Sequence, residues 1–201
     1  MNDTDTIHQR GHVLEDLYFR RVDDTLLQSM REKSKRVAML RELANIAAVD
    51  DPELLNHMLD LNINASTIAA FTLTPLVFVA WADGTVTSGE RQMVISAALT
   101  RGVSDNPLAF ILLKQWLDVR PPRDLWETWK EYAQKLHESL PAETADSVAD
   151  RLISNAKVVA KSSGSVLRRG KVTNPEQKIL DAIAETLPNR GGSIVRVDPH
   201  D

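Results

Sequence analysis

Two short stretches decide how this chain is read: Gly84-Thr-Val-Thr-Ser-Gly-Glu90 and Gly170-Lys-Val-Thr-Asn-Pro-Glu176. Glycine, valine, threonine and glutamate recur in them at identical spacing. The glycine permits the backbone that ends a helix or turns a loop. The valine that follows is placed to tuck into a core, as the outer half of a hydrophobic staple. Thr87 and Thr173 then stand as N-caps, with Glu90 and Glu176 three residues later, which completes a capping box in each. Pro175 falls in a first helical turn, where its missing N–H does little harm. Each stretch therefore predicts the start of a helix, and losing either cap costs about 1 kcal/mol. The likeness continues downstream, where Met93 matches Ile179, Val94 matches Leu180 and Ala98 matches Ala184.

Outward from these two points the chain reads as helix throughout. Its 8 glycines and 9 prolines fall between periodic segments, and no run alternates with period two, so no sheet is expected. A first helix is predicted over His12 to Arg36, with Phe19, Val22, Leu26 and Met30 as its apolar stripe. Val37 to Ala48 continues it or follows a bend. Asp50, Asp51 and Pro52 restart the chain in a short helix through Asp60. Asn62 and Asn64 make a turn. Ala65 to Ala82 reads as one central helix, kinked at Pro75. Helices follow over Thr87 to Arg101, closed by Gly102, and over Asn106 to Val119, opened by Asp105. After Pro121-Pro122 come Asp124 to Leu140, Pro141 to Lys161 and Thr173 to Leu187. Leu125, Trp129, Tyr132, Leu136 and Leu140 share one helix face. Val148, Leu152, Ala156 and Val159 form the stripe of the next helix. Ser162 to Gly170 reads as a loop, and the residues after Pro188 as a loosely held tail.

Composition narrows the function. The chain has 201 residues, 43% hydrophobic and 26% charged, enough for a real core. A net charge of -4 argues against a broad nucleic-acid footprint. The basic runs Arg31 to Arg36 and Arg168 to Lys171 are short and read as solvated. With no cysteine, disulfides, thiol catalysis and thiolate metal sites are excluded. The N-terminal stretch MNDTDTIHQRGH is polar and mixed in charge, unlike a secretory signal, so a cytoplasmic location is expected. Leu61 to Ala82 carries no charge, but its Asn, Thr, Ser and Pro residues suit a buried helix better than a membrane span.

The first signature carries more than a cap. Asp83 to Glu90 matches the second half of a calcium-binding EF-hand loop, with glycine, hydrophobe and final glutamate in place. The first half fails: Val79 and Trp81 stand where leading acidic ligands belong, and an EF-hand is rejected. The segment Val77-Phe-Val-Ala-Trp-Ala-Asp-Gly-Thr-Val-Thr-Ser-Gly-Glu90 resembles the TerB-like (tellurite-resistance TerB) helical domain, whose mark is an alanine-rich helix ending in A-D-G with a glutamate further on. The resemblance covers roughly Ala65 to Leu187. It implies an all-helical fold, an association with stress response and an acidic divalent-metal site, onto which Asp83 and Glu90 map. Arg169 stands where a second aspartate is expected, which reduces the second copy to a structural role.

Other chemistry is thin. His8, His12, His57, His137 and His200 are scattered, and no zinc-protease, nucleophile-elbow or phosphate-loop motif occurs. Glu143, Asp146 and Asp150 line one helix face and read as surface. Of the four tryptophans, Trp81, Trp116 and Trp129 read as core, while Trp126, at a stripe border, reads either as core or as an anchor in a partner groove.

These readings predict an all-α bundle of about eight or nine helices: an N-terminal helical extension over residues 1–60, a TerB-like core over 61–188 and a flexible tail over 189–201. The expected function is that of a non-enzymatic interaction or scaffold module with a protein partner, no nucleic acid and no required cofactor. The alternative is a divalent-metal sensor with Asp83 and Glu90 as ligands.

Overall fold

In the computed structural model, residues 3–162 and 172–188 are described, with side chains from residue 20 onward in the first stretch. Among them are nine α-helices, one 3-10 turn and no strand. The predicted loop over Ser162 to Gly170, past its first residue, and the tail from Asn189 onward lie outside the described residues. No described helix is long and apolar enough to cross a membrane.

The first helix, α1, runs unbroken over Asp3–Ala47, so the predicted segments are one helix. The chain divides into two compact units, Met1–Arg41 and Glu42–Asp201. In the first unit Val22, Leu26, Met30 and Val37 recur at helical spacing yet are 43, 57, 59 and 47% exposed. In the second unit the end of α1 buries Leu43 and Ala47. Helix α2 (Pro52–Asp60) also belongs there and buries Leu54, Leu55 and Met58. Asp51 caps α2 by accepting the N–H groups of Glu53 and Leu54, both at 3.0 Å. Its other oxygen meets Lys135 at 2.7 Å, and that ammonium holds the Asp51 carboxyl below its ordinary value.

The expected long central helix is two helices, α3 (Ile68–Phe71) and α4 (Thr74–Ala80). Pro75 does not kink a continuous helix; it sits in the first turn of α4. A proline N has no hydrogen to give the preceding turn, and the chain resolves this by ending α3 and starting again. All seven residues of α4 are buried. A helix apolar all round has to be central, and α4 lies against α5 (Ser88–Thr100), α6 (Pro107–Asp118), α7 (Arg123–Ser139), α8 (Ala142–Lys161) and α9 (Asn174–Thr186). Burying each of its larger side chains contributes roughly 1.5–3 kcal/mol.

The start of α6 differs by one cap. Val103–Asp105 is a 3-10 turn after Gly102, and Asn106 is the N-cap, accepting from the N–H groups of Leu108 and Ala109. The far end of α6 is tied to its neighbours. Trp81 Nε1 donates to the Trp116 carbonyl at 2.7 Å, and Arg91 donates to the Leu117 carbonyl at 2.7 Å while pairing with Asp118 at 2.8 Å.

Helix α7 supplies the aromatic core. Trp126 is buried, stacks on Trp129 with ring centroids 5.1 Å apart and meets Phe78 of α4 at 5.2 Å. Trp126 is therefore a core residue, and the partner-groove alternative falls. Tyr132 is buried against Phe71, its hydroxyl 3.4 Å from the Ala47 carbonyl, and burial pushes its pKa up to about 12. On α8 the stripe is shifted from expectation. Leu152, Ala156 and Val159 are buried, joined by Ala145 and Ala149, while Val148 is 46% exposed.

Candidate functional site

Both signatures start helices as the sequence predicts. After α4 the chain turns through Asp83-Gly84, where Gly84 has φ of 96°, a region that disfavours a side chain. Asp83 Oδ1 accepts from the Thr85 N–H at 3.2 Å. Thr87 caps α5: its Oγ1 accepts from the Glu90 N–H at 3.3 Å, and Glu90 Oε2 accepts from both the N–H and the hydroxyl of Thr87, each at 2.8 Å. At α9, Thr173 Oγ1 accepts from the Glu176 N–H at 3.4 Å, and Glu176 Oε2 accepts a short hydrogen bond from the Thr173 N–H.

The glutamates are unusual in where they sit. A first-turn glutamate ordinarily faces water, yet Glu90 and Glu176 are both 0% exposed. In each, Oε2 is used by the cap, while Oε1 is buried and has no hydrogen-bond partner among the described residues. An unmet buried acceptor costs about 1–3 kcal/mol, more for a charged group. The two residues are also near one another. Burial pushes the Glu90 carboxyl above its ordinary value; the Thr87 hydrogen bonds oppose this, and repulsion from Asp83 and then Glu176 reinforces it. The fold thus gathers acidic groups from two distant parts of the sequence around one buried centre.

A hard divalent cation suits such donors, since it takes oxygen ligands and neutralises buried carboxylates. Glu90 and Glu176 would hold it through their Oε1 atoms. Asp83 is exposed, and one of its oxygens is engaged in the turn. Among the described residues no group of three or more His, Asp or Glu is arranged to hold a metal ion. The two glutamates would therefore need backbone carbonyls or water beside them, as magnesium and manganese commonly accept.

From sequence, Asp83 and Glu90 are the expected ligands, and Arg169 leaves the second copy without its aspartate. Arg169 lies outside the described stretch, and the site gains Glu176 instead. The signal for Glu176 was the shared capping box itself. Gly89 has a separate role: a Cβ there would fall 2.5 Å from the Ser162 carbonyl oxygen, so α5 starts in direct contact with the end of α8. The remaining candidates do not converge. Glu143 and Asp150 are exposed on α8, Arg31 to Arg36 are exposed on α1, and the His8, His12 and His200 side chains lie outside the described residues.

No protein-family model, curated protein or solved structure matches this chain. Fold and site together define an all-α helical bundle with a buried acidic pair.

Proposed function

We propose that this protein is a non-catalytic helical module whose acidic centre takes a divalent cation through Glu90 and Glu176, with Asp83 adding charge nearby. The observation that carries this reading is the pair of unpartnered, fully buried carboxylate oxygens on neighbouring helix starts. The likeness of the Ala82-Asp83-Gly84…Glu90 segment to TerB-like domains supports it, as does the lack of catalytic motifs. The test is a set of thermal melts on the full chain, stripped with chelator and then titrated with magnesium, calcium or manganese. A saturating cation at a hundred times its Kd stabilises by about 2.7 kcal/mol, a Tm rise of roughly 5–10 °C. Glu90→Gln and Glu176→Gln keep a capping-box residue and are expected to lose that rise. An unchanged cation response in both variants would rule the centre out.

A second reading rests on a different observation. Val22, Leu26, Met30 and Val37 lie within about 80° on the helix and are exposed. Seven Lys and Arg against three Asp and Glu accompany them between Arg20 and Arg41. Lys33 lies within this strip, and Arg36 on one side and Arg41 with Asp23 on the other flank it; a mixed apolar and basic face suits an acidic amphipathic partner helix. A photo-cross-linker at Leu26 should trap one discrete protein in the native host, and one at exposed Val119 should not. Equal, diffuse adducts from both positions would remove this reading.

A further inference from the structure

A cavity of about 270 Å³ opens between α7, α8 and the ends of α3, α5 and α9. It is independent of the acidic centre. Its wall is apolar and aromatic: Trp129 and Leu136 come from α7, Leu140 from the corner after it, and Val148 and Leu152 from α8. Two guanidinium groups, Arg101 at the C-cap of α5 and Arg151 on α8, also line it. Both are exposed at its rim. Here, among the described residues, neither arginine forms an ion pair. The two instead act on each other: burial and then repulsion from Arg151 lower the Arg101 pKa. Val148, at 46% exposure, leaves the apolar wall open to solvent.

An apolar slot beside two mutually repelling guanidiniums specifies its occupant by charge as well as by shape. An anion between them removes the repulsion and accepts charge-assisted hydrogen bonds, for which arginine forks match a carboxylate well. The volume, just below the range usual for drug-sized ligands, suits one slender chain and not a folded partner. We propose that this cavity binds a single-chain anionic amphiphile, a fatty-acid carboxylate, with its tail along Trp129, Leu136, Leu140, Val148 and Leu152 and its head between Arg101 and Arg151.

The experiment is calorimetric titration of the full chain at neutral pH with dodecanoate, and separately with dodecanol, both below their aggregation concentrations. Dodecanoate is expected to saturate at one per chain, and dodecanol to bind at least about tenfold more weakly. Arg101→Gln and Arg151→Gln should each weaken dodecanoate by about tenfold, equivalent to about 1.4 kcal/mol. Both arginines are exposed at the rim, so these variants test the head site without opening the core. Val148→Trp should block the tail site while circular dichroism keeps its helical form. Equal binding of dodecanol and dodecanoate, or full dodecanoate affinity in the double arginine variant, overturns the proposal. So does an acidic amphipathic peptide that binds where dodecanoate does not.

Discussion

The two copies of the capping signature start out alike and then diverge. Both place threonine at the N-cap and a fully buried glutamate three residues later. In both, the next core position is buried, Val94 in α5 and Leu180 in α9. One turn further on the match fails. Ala98 is buried, but its counterpart Ala184 is exposed and Ile183 takes the core position. The glutamates also differ in support: Glu90 receives the Thr87 hydroxyl as well as its N–H. Most tellingly, Gly89 presses against the Ser162 carbonyl, whereas its counterpart Pro175 is exposed. The repeat therefore conveys a way of starting a helix and turning a carboxylate inward. What each helix does beyond its first two turns is set by its neighbours.

The sharpest way to break this comparison is at the position before the glutamate. Gly89→Ala pushes a methyl group against a backbone carbonyl, which cannot swing aside as a side chain does. The expected loss is about 2 kcal/mol, a Tm lower by about 4–8 °C. Pro175→Ala, at an exposed first-turn site, should stay within about 0.5 kcal/mol of wild type. Matching melts for the two variants would show that the α5–α8 contact is not tight.

A smaller effect sharpens the account of Glu90. Its folded-state pKa is raised above the ordinary 4.5. Below that value the residue is protonated in both folded and unfolded chains, and it contributes no pH slope. As the pH rises past 4.5, the unfolded chain releases its proton first, so stability falls until the folded carboxyl ionises as well. Glu90→Gln has no proton to release. In chelator, its stability relative to wild type should grow with pH above 4.5, read from urea midpoints. Parallel pH profiles for the two proteins would contradict the buried, repelled carboxyl.

Much of the fold was legible in the residues. Asp51-Pro52, Thr87…Glu90 and Thr173…Glu176 mark helix starts through local chemistry, and local chemistry is what a sequence displays. Pro75 was harder. A proline within an apolar run fits either a kink or a first turn, and packing around α4 decides between them. Trp126 was ambiguous for a similar reason: helical spacing put it at a border, and only the positions of Phe78 and Trp129 turn it inward. At the site, Asp83 and Glu90 were legible from adjacency. Glu176 was marked only as a second capping-box residue, because nothing in the sequence says that α5 and α9 begin near one another. The arginine pair at the cavity is illegible in sequence for the same reason, as Arg101 and Arg151 come from different helices.

The attachments at the end of α6 bear on motion. Trp81 lies just before the Asp83 turn and Arg91 just beyond Glu90, and they grip the consecutive carbonyls of Trp116 and Leu117. The acidic turn is thereby closed into a ring, hinged on another helix at both ends. Such a segment opens as a cooperative unit and not residue by residue. The hydrogen-bonded amide protons of Gly84, Thr87 and Glu90 should thus show one common protection factor, shared with the last turn of α6.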